Sequence, residues 1–168
     1  MSPNILHFHI TSRCPFNCKH CCSESGHQDN SIELDRASIF EMLNRAVQFG
    51  MDEIDISGGE PLIIGKSPLV AIIAYASKQN LLSTINTNAW FLDEQYVSNL
   101  KDAGLDRIRF SLYGTSPGTH DDTIFYWLGK GHRAMQKVLG FEKSSHNLYS
   151  SFIEMLTILQ ENRIRTMR

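Results

Sequence analysis

The segment ILHFHITSRCPFNCKHCC (residues 5–22) joins a short predicted strand to a loop that contains all four cysteines of the chain. At its start, apolar and polar side chains alternate, which is the pattern of a β-strand with one buried face. Cys14, Cys18 and Cys21 then follow with the spacing C-x₃-C-x₂-C, and Cys22 comes directly after the third. A thiol-rich loop at the end of a strand predicts metal binding or catalysis at that edge of a sheet.

Outside this segment, strand and helix signals alternate along the chain. Further strands are predicted at residues 53–57, 81–86, 107–112 and 152–159. Helices are predicted from Asp35 to Gly50, from Ser67-Pro68 onward, from Asp93 to Gly104 and near residues 131–141. This alternation is typical of an α/β fold in which helices pack outside a parallel sheet. The length of 168 residues fits one domain.

The unusual segments of the chain all follow predicted strands. The cysteine loop follows the first strand, SGGEP (57–61) the second, NTNAW (86–90) the third, and SLYG (111–114) ends the fourth. In parallel α/β folds, ligands bind beyond the carboxyl ends of the strands. We therefore expect these four segments to meet at one edge of the sheet and to form the functional site.

Composition and charge exclude some classes of function. A formal net charge of −2 gives no basic field that would collect nucleic acid. The longest apolar runs are too short to span a bilayer. The first ten residues lack the basic and long apolar regions of a secretion signal, so a cytoplasmic location is expected. In that compartment, clustered thiols more often bind metal or catalyse than form disulfides.

The cysteine spacing by itself leaves two metal centres open. Three thiolates can hold three irons of a [4Fe–4S] cluster and leave the fourth iron open, whereas electron-transfer clusters use four cysteines. The alternative is a structural zinc site built from the same cysteines with either Cys22 or His20. We expect Cys22 not to be a ligand, because side chains adjacent in sequence rarely converge on one ion. A redox-sensing thiol is a third interpretation.

Two motifs together indicate a family. The stretch CPFNCKHC (14–21), followed one β/α unit later by GGEP (58–61), resembles the radical S-adenosylmethionine (SAM) superfamily, and within it the branch of peptide-maturing and cofactor-synthesising enzymes. The resemblance implies a partial (β/α) TIM-type barrel with about five of the family's usual six β/α units. It also implies that residues 1–168 form a radical SAM core domain that is incomplete at its C-terminus.

The resemblance implies a cofactor site at the cysteine loop. Cys14, Cys18 and Cys21 would bind a [4Fe–4S] cluster whose open iron takes the amino and carboxylate groups of SAM. His20 would occupy the place of an aromatic ring that packs near the adenine in the family. Ser111 would hydrogen-bond the ribose or the carboxylate.

The two later motifs would contribute to the same site. Gly58, Gly59 and Glu60 match the segment that binds the methionyl amino end of SAM, and paired glycines let a backbone approach a ligand closely. Asn88 matches the family's TNG position, although Ala89 replaces its glycine. Purely structural roles are the alternatives for these side chains: a tight turn with a solvent-facing Glu60, backbone capping by Ser111, and turn chemistry for Asn88.

The resemblance also implies a reaction and partners. SAM would be cleaved reductively to a 5′-deoxyadenosyl radical that abstracts hydrogen from a peptide or small-molecule substrate. The electron would come from a flavodoxin- or ferredoxin-type reductant. His7 and His9 share one face of the first strand, where they either contact substrate or are satisfied interior histidines. An unpaired sheet edge would favour association. The alternatives are a non-catalytic subunit that binds a cluster or SAM, and a zinc-stabilised interaction module.

Overall fold

The computed structural model of the chain describes residues 3–18, 20–21, 23–25 and 32–111. Four strands form one parallel sheet in chain order: β1 (Ile5–Thr11), β2 (Glu53–Gly58), β3 (Leu82–Thr87) and β4 (Arg107–Phe110). The connecting helices are α1 (Arg36–Gln48), α2 (Lys66–Lys78) and α3 (Glu94–Asp102), and a single 3₁₀ turn (Pro61–Ile64) precedes α2. The predicted parallel α/β fold is confirmed. The strand predicted at 152–159 and the helix near 131–141 lie outside the described residues.

Local sequence signals explain where the helices begin. Asp35 accepts a hydrogen bond from the backbone N–H of Ser38 at 3.0 Å, and Asp93 accepts one from that of Tyr96 at 2.7 Å. Each carboxylate satisfies an N–H that has no partner within its helix. Both predicted N-caps are therefore confirmed. α2 begins at Lys66, two residues before Pro68, which was the predicted first helical position.

The two faces of the sheet differ in character. Apolar side chains on one face pack with the helices into a single core, in which the largest fully buried strand residues are Ile10, Ile54, Ile56 and Ile85. The strand register places these residues side by side, with Ile56 opposite both Phe8 and Ile85. Because side chains alternate along a strand, the intervening residues face away from the helices.

That second face carries ion pairs between neighbouring strands. Glu53 and Asp55 of β2 are 1% and 3% exposed. Arg107 of β4 lies 2.8 Å from the Glu53 carboxylate, and Arg109 lies 2.7 Å from that of Asp55. His7 of β1 also reaches this network: its Nδ1 lies 2.9 Å from Asp55 Oδ2, the oxygen that Arg109 contacts. The buried carboxylates thus obtain the partners that their burial requires. We call these five residues the polar face.

Among the described residues, none of the three helices has the length and apolar character that crossing a lipid bilayer requires.

Candidate functional site

The GGEP segment and the cysteine loop are joined by their backbones. The N–H of Gly59 donates to the carbonyl of Thr11 at 2.7 Å, and the N–H of Glu60 donates to the carbonyl of Arg13 at 2.8 Å. A Cβ atom at Gly58 would lie 2.2 Å from the carbonyl oxygen of Thr11, and one at Gly59 would lie 2.2 Å from that of Arg13. The two glycines therefore permit a close approach to the backbone of Thr11 and Arg13, whereas their approach to a ligand stays a prediction.

Glu60 lies at the centre of three loops. Its carboxylate is 0% exposed and accepts hydrogen bonds from the backbone N–H of Leu62 at 3.0 Å, the hydroxyl of Thr87 at 2.7 Å and the N–H of Asn88 at 2.7 Å. Burial raises the pKa of Glu60 to about 7, although those three hydrogen bonds oppose the rise. The alternative of a solvent-facing glutamate is wrong. The side chain ties the end of β2 to the end of β3.

The three cysteines of the predicted triad are free thiols at one site. Cys14 is 8% exposed and packs with Phe16 and Trp90, whereas Cys18 and Cys21 are half-buried. Burial, with smaller contributions from the neighbouring Glu60, Cys18 and Cys21, raises the pKa of Cys14 to about 12 against a backbone hydrogen bond from Phe16. Cys18 packs against the same small cluster as Cys14, Phe16 and Trp90.

Serines distinguish the third thiol from the first two. Burial and the nearby Cys21 raise the pKa of Cys18. For Cys21, burial also raises the pKa, but hydrogen bonds from Ser23 and Ser25 outweigh it and leave the pKa below its usual value. The N–H of Ser25 donates to Cys21 Sγ at 3.3 Å, and the hydroxyl of Ser23 lies 3.4 Å from the same atom. The three sulfurs therefore differ in their readiness to form thiolates.

The donor set fits an iron–sulfur cluster. Cys14, Cys18 and Cys21 supply the soft thiolates that such clusters take as ligands. Within the described part of the chain, no three cysteine, histidine or carboxylate side chains converge where they could share one metal ion. The cluster hypothesis does not need such convergence, because each thiolate of a cluster binds a different iron.

Asn88 contacts both the cysteine loop and its own turn. Its side-chain Nδ2 donates to Cys14 Sγ at 3.6 Å, and its Oδ1 accepts from the backbone N–H of Trp90 at 3.0 Å. The expected turn chemistry is therefore present, together with a contact to the predicted metal ligand. Ala89, which stands in place of the family's glycine, has φ +63°. A non-glycine residue in this left-handed region costs about 1–2 kcal/mol.

The remaining predicted residues are Ser111 and His20, at the carboxyl ends of the strands, and His7 and His9 on β1. Ser111 follows β4 directly, and its N–H donates to the carbonyl of Thr87 at 2.9 Å. His20 is exposed within the cysteine loop. His7 is paired with Asp55 yet has 65% of its side chain exposed, and His9 is also exposed. The four strand ends thus bring the cysteine triad, the GGEP segment, Asn88 and Ser111 together, as the sequence predicted.

Sequence reasoning missed three functional neighbours. The sequence pattern does not identify Thr87 as the partner of Glu60, or Ser23 and Ser25 as hydrogen-bonding partners of Cys21. A signal existed for each, because Thr87 lies inside NTNAW and both serines lie within four residues of Cys21 in the SESG stretch. Their partners could not be assigned without the fold.

The sequence of the chain matches known proteins. The family description that matches residues 8–163 is that of the Radical SAM superfamily. A probable GTP 3′,8-cyclase of Methanococcus aeolicus is 36% identical over 113 residues, which are 67% of this chain and 38% of that protein. The PqqA peptide cyclase of Gluconobacter oxydans is 34% identical over 110 residues, which are 66% of this chain and 30% of that protein. The matched part of the chain thus spans only about a third of the length of these relatives.

Solved structures share the fold. The crystal structure of Streptococcus suis SuiB bound to S-adenosylmethionine aligns with a TM-score of 0.65 at 16% identity, over 96% of this chain and 39% of that one. The structure of native anSMEcpe with bound S-adenosylmethionine aligns with a TM-score of 0.61 at 14% identity, over 95% of this chain and 41% of that one. With the family match over most of its residues, the chain belongs to the radical SAM superfamily, whose members bind a [4Fe–4S] cluster and SAM.

Proposed function

We propose that Cys14, Cys18 and Cys21 bind a [4Fe–4S] cluster with one open iron, and that SAM binds there and is cleaved reductively. The observation that carries this proposal is the placement of three free cysteines in one loop that two backbone hydrogen bonds hold against the GGEP segment. When bound, the cluster would supply the electron that cleaves a carbon–sulfur bond of SAM. The products would be methionine and a 5′-deoxyadenosyl radical, and this radical would abstract hydrogen from the substrate. The reductant would be a flavodoxin- or ferredoxin-type protein.

The residues of the chain would position SAM rather than transform it. Gly58 and Gly59 would let this segment lie directly against Thr11 and Arg13, and the segment so placed would bind the methionyl amino end of SAM. Glu60 would act mainly by fixing this backbone, since its carboxylate already accepts three hydrogen bonds and is fully buried. His20 would lie towards the adenine, and Ser111 towards the ribose or the carboxylate, from the carboxyl end of β4.

The polar face is where we place the substrate contacts. The guanidinium side chains of Arg107 and Arg109 are 38% and 49% exposed, so they can pair with β2 and still present charge to a ligand. The names of the relatives favour a peptide or a small molecule, because one acts on GTP and the other on the PqqA peptide. We further propose that residues 1–168 act as one radical SAM core domain in the cytoplasm. Association through an open sheet edge stays a prediction.

Anaerobic reconstitution of the full chain with iron and sulfide tests the cluster. We expect four irons per chain, a cluster absorption spectrum and an electron paramagnetic resonance (EPR) signal that changes when SAM is added. Dithionite and SAM should then yield 5′-deoxyadenosine without added substrate. Cys18→Ala should lose this product, whereas Cys22→Ala, which changes a neighbouring thiol that we do not assign as a ligand, should keep it.

Three results would contradict the proposal in different ways. Tight binding of one zinc ion in place of iron would favour the zinc-stabilised module. A loaded cluster that responds to SAM but yields no 5′-deoxyadenosine would favour the non-catalytic subunit. Equal activity of Cys18→Ala and the unaltered chain would remove the assigned ligand set.

A further inference from the structure

We propose that Asn88 is a positioning residue that raises the reduction potential of the cluster by donating an N–H···S hydrogen bond to Cys14. This inference rests on the proposed function, because it requires the cluster to be held by Cys14. The contact joins residues 74 positions apart in the sequence, with Asn88 Nδ2 3.6 Å from Cys14 Sγ. It exists only because the fold brings the ends of β1 and β3 together.

The orientation of the Asn88 amide is fixed by its other contact. Its Oδ1 accepts the N–H of Trp90 at 3.0 Å, so the NH₂ end must point towards the sulfur of Cys14. The reversed amide would place its NH₂ against the N–H of Trp90, and two donors would then face each other. Asn88 therefore presents a donor to this sulfur.

The surroundings hold that donor in place. The backbone N–H of Asn88 donates to the buried carboxylate of Glu60 at 2.7 Å, which fixes the residue at both its main chain and its side chain. Cys14 is 8% exposed and packs with Phe16 and Trp90, so water competes little for its sulfur. A hydrogen bond in such surroundings is stronger than one in water.

The direction of the effect follows from charge. When a cluster gains an electron, negative charge on its sulfur ligands increases, and an N–H donor stabilises the reduced form more than the oxidised form. Loss of the donor should therefore favour the oxidised form. We expect the ratio of reduced to oxidised cluster at a fixed potential to fall about tenfold, which corresponds to a decrease of about 59 mV for a one-electron couple.

The test is an EPR-monitored redox titration of the reconstituted full chain and its variants. Asn88→Ser retains a hydroxyl that can accept the N–H of Trp90, but it is too short to reach Cys14. Asn88→Asp retains the whole turn and replaces the donor by a carboxylate, so it should lower the potential at least as far. Asn86→Ala is the matched control: Asn86 lies on β3, two residues before Asn88, but donates to Asp55, and its loss should leave the potential unchanged.

The outcomes separate this inference from the proposed function. If the unaltered chain binds fewer than four irons, the proposed function fails. If all variants bind four irons and the Asn88 variants keep the potential of the unaltered chain, only the role of Asn88 is refuted. An equal decrease in Asn86→Ala would also refute it, because the effect would then be general to β3. Should Asn88→Ser not fold, the potential of Asn88→Asp decides.

Discussion

Gly59→Ala should separate the cysteine loop from the GGEP segment. An added Cβ would lie 2.2 Å from the carbonyl oxygen of Arg13 and 2.8 Å from that of Ser12, whereas real Cβ contacts stay beyond 3.0 Å. The groups it meets are backbone atoms, so no side chain can turn aside to make room. The carbonyl of Arg13 also accepts the N–H of Glu60, and moving it would break that hydrogen bond.

Two costs follow from this movement. Steric overpacking costs about 1–3 kcal/mol, and a buried backbone group that loses its partner costs about 1–3 kcal/mol. We therefore expect Gly59→Ala to lower the free energy of unfolding of the metal-free chain by about 2–6 kcal/mol. The displaced cysteine loop should also bind less iron on reconstitution, because the GGEP segment would no longer hold it in place.

Urea denaturation of the metal-free chain and iron content after reconstitution measure these effects. Gly50→Ala is the matched control, because nothing lies within 4 Å of a Cβ there, although its φ of +70° adds backbone strain. This control should lose about 1–2 kcal/mol from strain alone and keep its iron. If Gly59→Ala loses no more stability than Gly50→Ala and binds iron equally well, the proposed backbone junction does not hold the loop.

The other two predictions concern Glu60 and Ala89. The pKa of Glu60 is raised from 4.5 to about 7, so between these pH values the folded chain keeps a proton on Glu60 that the unfolded chain has lost. The free energy of unfolding should therefore fall by about 3 kcal/mol as the pH rises from 4.5 to 7. Urea denaturation at several pH values should show that this pH dependence disappears in Glu60→Gln and persists in Glu41→Gln, which changes an exposed glutamate. An unchanged pH dependence in Glu60→Gln would contradict the assignment of the effect to Glu60. Ala89→Gly should stabilise the chain by about 0.5–1 kcal/mol by removing strain at φ +63°, whereas Ala76→Gly in α2 should destabilise it by about 1 kcal/mol. A loss of stability in Ala89→Gly would mean that its buried methyl group contributes more than the strain costs.

The features that the sequence predicted are those with local causes. Asp35 and Asp93 cap helices through residues three positions away, and the spacing of apolar side chains identifies strands and helices within each segment. The alternation of these elements then requires a parallel sheet and places the loops after the strands at one edge. The position of the candidate site at the carboxyl ends of the strands follows from this arrangement alone.

What the sequence could not supply are contacts between distant segments. The sequence predicts Glu60 at a ligand or in solvent, but its carboxylate is buried and hydrogen-bonded to Thr87 and Asn88, 27 and 28 positions away. The pairing of Asp55 with Arg109 spans 54 positions in the same way. The residues next to a carboxylate in the sequence do not reveal that a distant strand will cover it. Its burial depends on the register between strands.

These distant contacts explain why the cysteine loop needs the rest of the sheet. Among the described residues of the loop, Ser23 and Ser25 form hydrogen bonds with the sulfur of Cys21, and Phe16 forms a backbone hydrogen bond with that of Cys14. Cys14 is also held from outside the loop, by the glycine junction on one side and by the Glu60–Asn88 connection on the other. Because Glu60 is fully buried, its three hydrogen bonds cannot be exchanged for water, so the ends of β2 and β3 move together or not at all. A short peptide with the same cysteines would therefore lack the defined position and donor that the fold gives to the Cys14 sulfur.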